Sequence, residues 1–198
     1  MTLHATLLDL PFLAEITAIR RDIHAHPELA FEESRTADVV ARMLESYGVE
    51  VHRGLAGTGV VGVIKGTQGN SKRMIGLRAD MDALPMPELN EFPHRSRHAG
   101  KMHACGHDGH TAMLLAAAHE LALNSEFDGV LHLIFQPAEE GGGGALRMMQ
   151  DGLFDLFPCD AIFAMHNMPG VPVGKFVFRS GSAMASSDYV TIRVNGTG

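Results

Sequence analysis

The stretch from Gly100 to Thr111 concentrates side chains that bind metal ions. It contains three histidines, one cysteine and one aspartate, and an apolar segment follows it. Thiolate and imidazole are zinc ligands, and Gly106 lets the backbone turn Cys105 and His107 toward one point. Their spacing is not one of the fixed metal motifs, so from spacing alone a polar loop that caps a helix is an equal alternative.

Two adjacent carboxylates, Glu139 and Glu140, follow the mainly apolar run Leu131 to Phe135 and precede four glycines. We expect this run to be a buried strand, and open α/β sheets keep their sites at the carboxyl ends of strands. One glutamate could bind a metal while the other accepts a proton from metal-activated water. A solvated acidic loop is the alternative. The glycines do not form a phosphate-binding loop, because no Gly-Lys-Ser/Thr sequence follows them.

Two further strand-like runs end in polar side chains. Met74 to Ala79 leads into Asp80 and Asp82, and Ala161 to Met165 leads into His166. A lone histidine is more often a core or surface residue, but His166 is the third polar group at a strand end. We therefore expect four strand ends to bring these side chains to one edge of a sheet: Asp80, Asp82, Cys105, His107, Glu139, Glu140 and His166.

Hydrolysis is the reaction that this set of side chains suits, since it needs activated water and a free proton acceptor. A hydrolase with Cys105 as its nucleophile is the competing interpretation. A thiol beside a histidine and several carboxylates resembles a metal ligand more than an activated nucleophile. Cys159 is expected to be a small core residue.

The periodicity of apolar residues predicts strands that alternate with helices, which indicates an α/β fold with helices on both faces of a sheet. The segment Pro85 to Gly100 has three prolines and no period, and we expect a long functional loop there. The predicted helices are Leu7 to His24, Glu32 to Tyr47, Gly109 to Leu123 and Ala145 to Phe154. The predicted strands are Val49 to His52, Gly59 to Ile64, Met74 to Ala79, Val130 to Phe135, Ala161 to Met165 and Lys175 to Phe178.

The composition and charge of the chain limit the classes of partner that it could bind. The 198 residues are 45% hydrophobic, carry a formal charge of -7 and contain no basic run longer than a pair such as Arg20 and Arg21. Nucleic-acid and anionic-membrane surfaces need clustered positive charge, so we expect a small-molecule or protein partner, no nucleic acid and no membrane. Neither a transmembrane segment nor a signal peptide is evident, and we expect a cytoplasmic protein.

Five runs carry a family resemblance: Arg20 to Leu29, Leu77 to Met86, Lys101 to Thr111, Phe135 to Gly144 and Ala164 to Asn167. Together they resemble the signatures of the hippurate hydrolase and N-acyl-amino-acid amidohydrolase family, which includes auxin-conjugate hydrolases. The resemblance covers nearly the whole chain, and the motifs are specific in combination.

The resemblance implies a zinc-exopeptidase-like catalytic domain with a mostly parallel or mixed sheet and two divalent metal ions. It implies that the metal ligands are Cys105, His107, Glu140 and His166. Glu139 would be the general base that activates the shared water and then protonates the leaving amine, while Asp82 would orient a ligand. Cysteine and histidine favour zinc, a carboxylate-rich site accepts manganese, and cobalt or nickel is possible.

Other polar residues of these motifs have no role that the resemblance assigns. Asp80 stands where more distant metallopeptidase relatives carry a histidine ligand. For His103, Asp108 and His110 we expect hydrogen bonds around the metal ligands.

The C-terminal residues predict a second domain. Ser187 to Val194 alternates as a strand, and the turn signal Asn195 to Gly198 follows it. We expect residues 1–186 to be the N-terminal part of the metal-binding catalytic domain and residues 187–198 to begin a lid or dimerisation domain. Family members continue through that domain, which carries a Gly-Gly-His motif, to a last histidine ligand. A homo-oligomer through the missing domain, and a chain that is inactive alone, are therefore expected.

The predicted activity is metal-dependent hydrolysis of the amide bond in N-acyl amino acids. A dipeptidase or carboxypeptidase with the same metal centre is one alternative. A catalytically silent metal-binding fragment is another, and a plain α/β binding module without tightly held metal is a third.

Overall fold

The computed structural model describes residues 10–182, 184 and 190–196. Within these residues the chain forms five helices and five strands, close to the predicted boundaries. In chain order they are α1 Leu10–Ala25, α2 Ser34–Ser46, β1 Glu50–Leu55, β2 Gly59–Lys65, β3 Met74–Asp80, α3 His107–Leu123, β4 Val130–Gln136, α4 Gly144–Gln150, α5 Leu153–Leu156 and β5 Ala161–Ala164. None of the helices in this described part has the length and apolar character that a membrane crossing needs.

The strands form one mixed sheet in the order β1-β2-β4-β3-β5. Strands β1, β2 and β4 pair antiparallel, whereas β3 pairs parallel with both β4 and β5. Parallel pairing places the carboxyl ends of β3, β4 and β5 at one edge of the sheet. The mixed α/β sheet predicted from the sequence is confirmed.

Helices cover both faces of the sheet because the apolar residues of its inner strands alternate sides. Val60 and Phe135 face the larger core, which they share with α1, α2 and α3. Val61 and Ile134 face a smaller core that contains Met148 of α4 and residues of α5. This two-sided burial requires apolar residues on both faces of β2 and β4, and it explains their nearly continuous apolar runs.

Two predicted elements differ from the structure. The predicted helix Ala145 to Phe154 is divided into α4 and α5 by a turn at Gly152, whose φ of +94° ends helical geometry. The predicted strand Lys175 to Phe178 lies outside all strands, since no described residue pairs with it.

The C-terminal region is described by itself. The chain divides into two compact units, Met1–Asn167 and Met168–Gly198, and all ten elements belong to the first. In the predicted strand 187–194, residues 187–189 lie outside the described residues, and residues 190–194 are not in a strand. The boundary predicted between residues 186 and 187 stays a prediction.

The loop between β3 and α3 is fixed by a buried histidine of α1. Residues 85–100 contain no helix or strand, as predicted. His24 places Nε2 3.1 Å from Glu88 Oε1 in this loop and Nδ1 3.0 Å from Asp108 Oδ2 in α3. Glu88 also accepts a hydrogen bond from the backbone N–H of Ser96 at 2.5 Å. Because both ring nitrogens face carboxylates, the imidazolium form of His24 can donate to both of them.

We predict that His24 makes stability depend on pH. The pKa of His24 is raised above 6.5, because the hydrogen bond to Asp108 outweighs burial and Glu88 adds to the rise. A raised pKa in the folded state means that this stabilisation is complete below pH 6.5 and is lost as pH rises through the higher, folded-state pKa. H24Q should remove this loss of stability with rising pH. The measurement is the free energy of unfolding in urea at pH values from below 6.5 upward. The exposed H98Q variant is the control, and an unchanged pH dependence in H24Q would contradict the assignment.

Candidate metal centre

The three parallel strands and the start of α3 bring the predicted site residues to one edge of the sheet. Asp80 is the last residue of β3, while the segments after β4 and β5 carry Glu139, Glu140 and His166. Cys105 and His107 were predicted at a strand end, and that part of the prediction is wrong. They lie in a loop and at the first position of α3, because Gly106, with φ of +103°, turns the backbone directly into the helix.

His107 is fully buried at the middle of the site. Its Nδ1 lies 2.8 Å from the carbonyl oxygen of Asp82 and 3.3 Å from Asp82 Oδ1. Both atoms accept hydrogen bonds, so Nδ1 carries a proton and Nε2 is the nitrogen that faces the other site residues. Burial lowers the pKa of His107, but the hydrogen bond that it donates to Asp82 and the charge of Asp80 outweigh it, and the net pKa is raised.

Three carboxylates surround His107 Nε2 without bonding to it. Nε2 lies 3.7 Å from Asp80 Oδ2 and 3.9 Å from both Glu139 Oε2 and Glu140 Oε1. These distances are too long for hydrogen bonds. Both His107 Nε2 and Glu140 Oε1 are buried, and neither has a hydrogen-bond partner among the described residues. Buried polar atoms normally have a partner, so a cation between these atoms fits the geometry.

Cys105 and His166 form the second part of the site. Cys105 Sγ lies 3.3 Å from His166 Nε2, and His166 Nδ1 donates to the carbonyl oxygen of Asn167 at 2.6 Å. Burial, together with Glu140 and then Asp80, raises the pKa of the Cys105 thiol to about 12. Such a thiol is a weak nucleophile at neutral pH, which disfavours the alternative of a cysteine-nucleophile hydrolase.

The potential ligand atoms fall into overlapping groups that all contain His107. Within each group the atoms lie within 4.8 Å of one another. The groups are Cys105 with His107 and His166; His107 with Glu139 and Glu140; and Asp80 with His107 and His110. The four predicted ligands and the predicted general base therefore lie together, with the sulfur, nitrogen and oxygen donors that zinc accepts.

His110 is a site residue to which sequence reasoning assigned no specific role. Its Nδ1 lies 2.7 Å from Asp80 Oδ1, and its Nε2 lies 2.5 Å from Asn167 Oδ1. With both nitrogens engaged, His110 holds Asp80 and Asn167 in place instead of offering a free ligand atom. Burial opposes ionisation of Asp80, but His110 and Arg78 overcome it and lower the pKa of Asp80 to about 2. The signal in the sequence was the spacing of three residues from His107, which puts both histidines on one helix face.

The remaining motif residues differ in their surroundings. Asp82 Oδ2 accepts the backbone N–H of Glu140 at 2.9 Å, so Asp82 contacts both His107 and the glutamate segment. Asp108 binds Arg20 and His24 through one oxygen. His103 does not make the expected hydrogen bonds: its two ring nitrogens are buried and unpaired within the described residues.

The family model "Peptidase family M20/M25/M40" matches residues 76–195, which is more than half of the chain. The chain belongs to this family. It is 51% identical over 198 residues to hippurate hydrolase from Campylobacter jejuni, covering 100% of this chain and 50% of that protein. It is 44% identical over 188 residues to IAA-amino acid hydrolase ILR1-like 4 from Arabidopsis thaliana, covering 94% and 42%.

A solved structure shares the fold. The YXEP protein of Bacillus subtilis, described as a dinuclear metal binding peptidase from the M20 family, superposes with a TM-score of 0.79 at 41% identity. The match covers 84% of this chain and 46% of that protein. The chain thus spans about half the length of the relatives it matches. The family and the fold predicted from the sequence are both confirmed.

A substitution at Gly106 should disturb the geometry of the site. A Cβ atom at Gly106 would lie 2.4 Å from Asn167 Oδ1, whereas one at Gly100, which also has a positive φ, meets nothing within 4 Å. G106A should displace Asn167 and, through it, His166, and should weaken metal binding by about 10- to 100-fold. Affinity is measured by competition with a chromophoric chelator.

The control for this prediction is G100A. It carries the same kind of backbone strain without the collision, so it should lower stability but keep the affinity of the wild type. Equal metal affinities in G106A and G100A would contradict the inference that Asn167 holds His166 in place.

Proposed function

We propose that the protein hydrolyses the amide bond of N-acyl amino acids, such as benzoylglycine, with two divalent metal ions. The observation that carries this proposal is the buried Nε2 atom of His107, which has no hydrogen-bond partner among the described residues and faces two glutamates beside a cysteine and a second histidine. The similarity to hippurate hydrolase supports the substrate class. The dinuclear metal-binding peptidase of the same fold supports the metal ions.

The ligands that we propose are Cys105, His107, Glu140 and His166. Their donor atoms favour zinc, while the carboxylates around His107 also suit manganese, and cobalt or nickel is possible. When bound, the metal ions would polarise the substrate carbonyl and lower the pKa of water toward 7.

The two glutamates differ in a way that suits different tasks. Glu140 has a side chain that is 24% exposed and a buried, unpaired oxygen, as a ligand requires. The Glu139 side chain is 43% exposed, so it can reach both a water molecule and a substrate. In our proposal Glu139 accepts a proton from the attacking water as the new carbon–oxygen bond forms. It then donates this proton to the amine nitrogen as the carbon–nitrogen bond breaks, which releases a carboxylic acid and an amino acid.

Asp82 supports this chemistry without touching the substrate. Its contacts with His107 fix the ring so that Nε2 faces the site, and its contact with the Glu140 N–H holds the glutamate segment. A carboxylate in this position makes the histidine more basic and selects one tautomer.

A dipeptidase or carboxypeptidase activity is the second candidate, and the peptidase description of the Bacillus subtilis relative favours it. Both activities would use the same ligands and the same proton transfers. Comparing hydrolysis of benzoylglycine with that of dipeptides separates them. Homo-oligomerisation and a cytoplasmic location stay predictions.

Glu139 provides the test of the mechanism. E139Q should lower kcat by about 10²- to 10⁴-fold or more, because the amide cannot accept the proton of water, while bound metal stays at the wild-type level. E140Q is the matched comparison and should lose metal as well as activity. Benzoylglycine hydrolysis is measured in a longer protein that carries this chain, since we expect the chain alone to be inactive, and elemental analysis is carried out on both.

Three results would overturn the proposal. Full activity in E139Q would remove Glu139 from the mechanism. Wild-type protein without bound metal, in this chain and in the longer protein alike, would exclude a metallohydrolase and favour the binding module. Metal binding without hydrolysis in both would identify a silent metal-binding protein.

A further inference from the structure

Glu33 is a buried carboxylate that lies outside the metal centre and has no part in the mechanism above. It is 0% exposed, which is rare for glutamate because burying a charge is costly. It occupies the N-cap position of α2, yet its side chain makes no capping hydrogen bond to that helix. Its carboxylate therefore makes its hydrogen bonds with another part of the structure.

Glu28 performs the capping of α2 instead. Its Oε1 accepts the backbone N–H of Arg35 at 3.0 Å, and its Oε2 accepts the N–H and the hydroxyl of Thr36 at 2.8 and 2.9 Å. The free N–H groups of the helix start are thereby satisfied by a residue that precedes the usual position. Glu33 is not needed for that task.

The Glu33 carboxylate binds a neighbouring residue and two segments that are distant along the chain. Oε1 accepts the backbone N–H of Ala138 at 2.8 Å and that of Phe31 at 3.0 Å, and Oε2 accepts the hydroxyl of Thr58 at 2.6 Å. Ala138 follows Glu33 by 105 positions and directly precedes Glu139. Burial raises the pKa of Glu33, and these hydrogen bonds oppose that rise.

Ala138 has a backbone conformation that its own sequence does not favour. Its φ is +52°, in the left-handed region, and its side chain is fully buried. Its carbonyl oxygen accepts the N–H of Gly144 at 3.0 Å, so both of its backbone groups are bonded. Without Glu33, the Ala138 N–H would be a buried donor with no partner, in a residue that is already strained.

The segment 137–144, here called the acid loop, also packs against the connection between α1 and α2. A Cβ atom at Gly142 would lie 2.7 Å from the Cβ of Ala138 and 3.2 Å from that of Ala30. The glycine therefore lets the acid loop approach this connection closely. The hydrogen bond that the Ala138 N–H donates to Glu33 fixes the loop at Ala138, and the bond that the Glu140 N–H donates to Asp82 fixes it at Glu140.

We propose that Glu33 is a positioning residue that holds Ala138 in its left-handed conformation and thereby directs Glu139 and Glu140 toward His107. The role of the acid loop in metal binding and catalysis rests on the proposed function. The tether itself is a statement about backbone geometry and can be tested without catalysis.

The test compares three variants of the full chain. E33M keeps the side-chain length but removes every hydrogen bond of the tether. E33Q preserves them, since its amide oxygen can accept both N–H groups while its amide nitrogen donates to the Thr58 hydroxyl. E28M is the matched control, because it removes three hydrogen bonds from the same region without touching the acid loop.

Two measurements distinguish positioning from general stability. Hydrogen exchange of peptides that cover residues 137–144 should be faster in E33M and unchanged in E33Q and E28M. Zinc affinity, from chelator competition, should fall by about 10- to 100-fold in E33M, as it does when groups that orient ligands are lost, and should stay within about twofold in E33Q. E28M should lower the midpoint of urea unfolding but leave zinc affinity unchanged.

Each outcome decides the proposal. Unchanged exchange of the acid loop in E33M, or equal losses in E33M and E28M, would overturn it. If neither the wild-type chain nor the longer protein binds a divalent metal, the proposed function fails, and exchange alone still decides whether Glu33 tethers the loop. If E33M does not fold, T58V decides, since it removes one of the bonds that orient Glu33. Faster exchange confined to residues 137–144 supports the tether, and unchanged exchange overturns it.

Discussion

The contact between His107 and Asp82 is the interaction on which the site depends. His107 Nδ1 donates to the backbone carbonyl oxygen of Asp82 at 2.8 Å and lies 3.3 Å from Asp82 Oδ1, while Asp82 Oδ2 accepts the backbone N–H of Glu140. One buried residue thus aligns the first residue of α3 with the segment that follows β4. The parallel pairing of β3 with β4 makes this possible, because it brings the residues after both strands to the same edge. Loss of this contact would separate the imidazole from the acids that surround it.

The pKa values of the site residues are set by several carboxylates that lie close together with few positively charged side chains among them. Asp80 remains ionised because His110 and Arg78 compensate for its burial, and the thiol of Cys105 is kept protonated by burial and by neighbouring carboxylates. Repulsion between carboxylates is unfavourable in a buried site unless a positive charge lies among them. A divalent cation would supply that charge and would bind the thiolate form of the cysteine. The fold therefore holds a set of groups that favours a metal ion over its absence.

Much of the fold and of the site could be predicted from the sequence, because the signals were local. Apolar runs followed by acids or histidine identified β3, β4 and β5 and the polar residues after them. The start of α3 was misplaced because a glycine before the helix leaves no periodic pattern. The tether at Glu33 could not be predicted, since its partner lies 105 residues away and is a backbone group without a side-chain signature. The segment Lys175 to Phe178 shows the opposite error: strand-like composition does not make a strand without a neighbour to pair with.

The weak pairing of strand β5 should couple its local opening to metal binding at the site. It is four residues long, pairs with β3 along one side, and has no strand on its other side in the described part of the chain. All of its residues are exposed, including Ile162 and Phe163. Short exposed edge strands open locally at a small fraction of the global unfolding free energy. Because His166, one of the ligands that we propose, lies two residues beyond the end of this strand, we expect fraying of β5 to loosen that ligand as well. Ion binding and strand pairing are then linked equilibria, and each is stabilised by the free energy of the other.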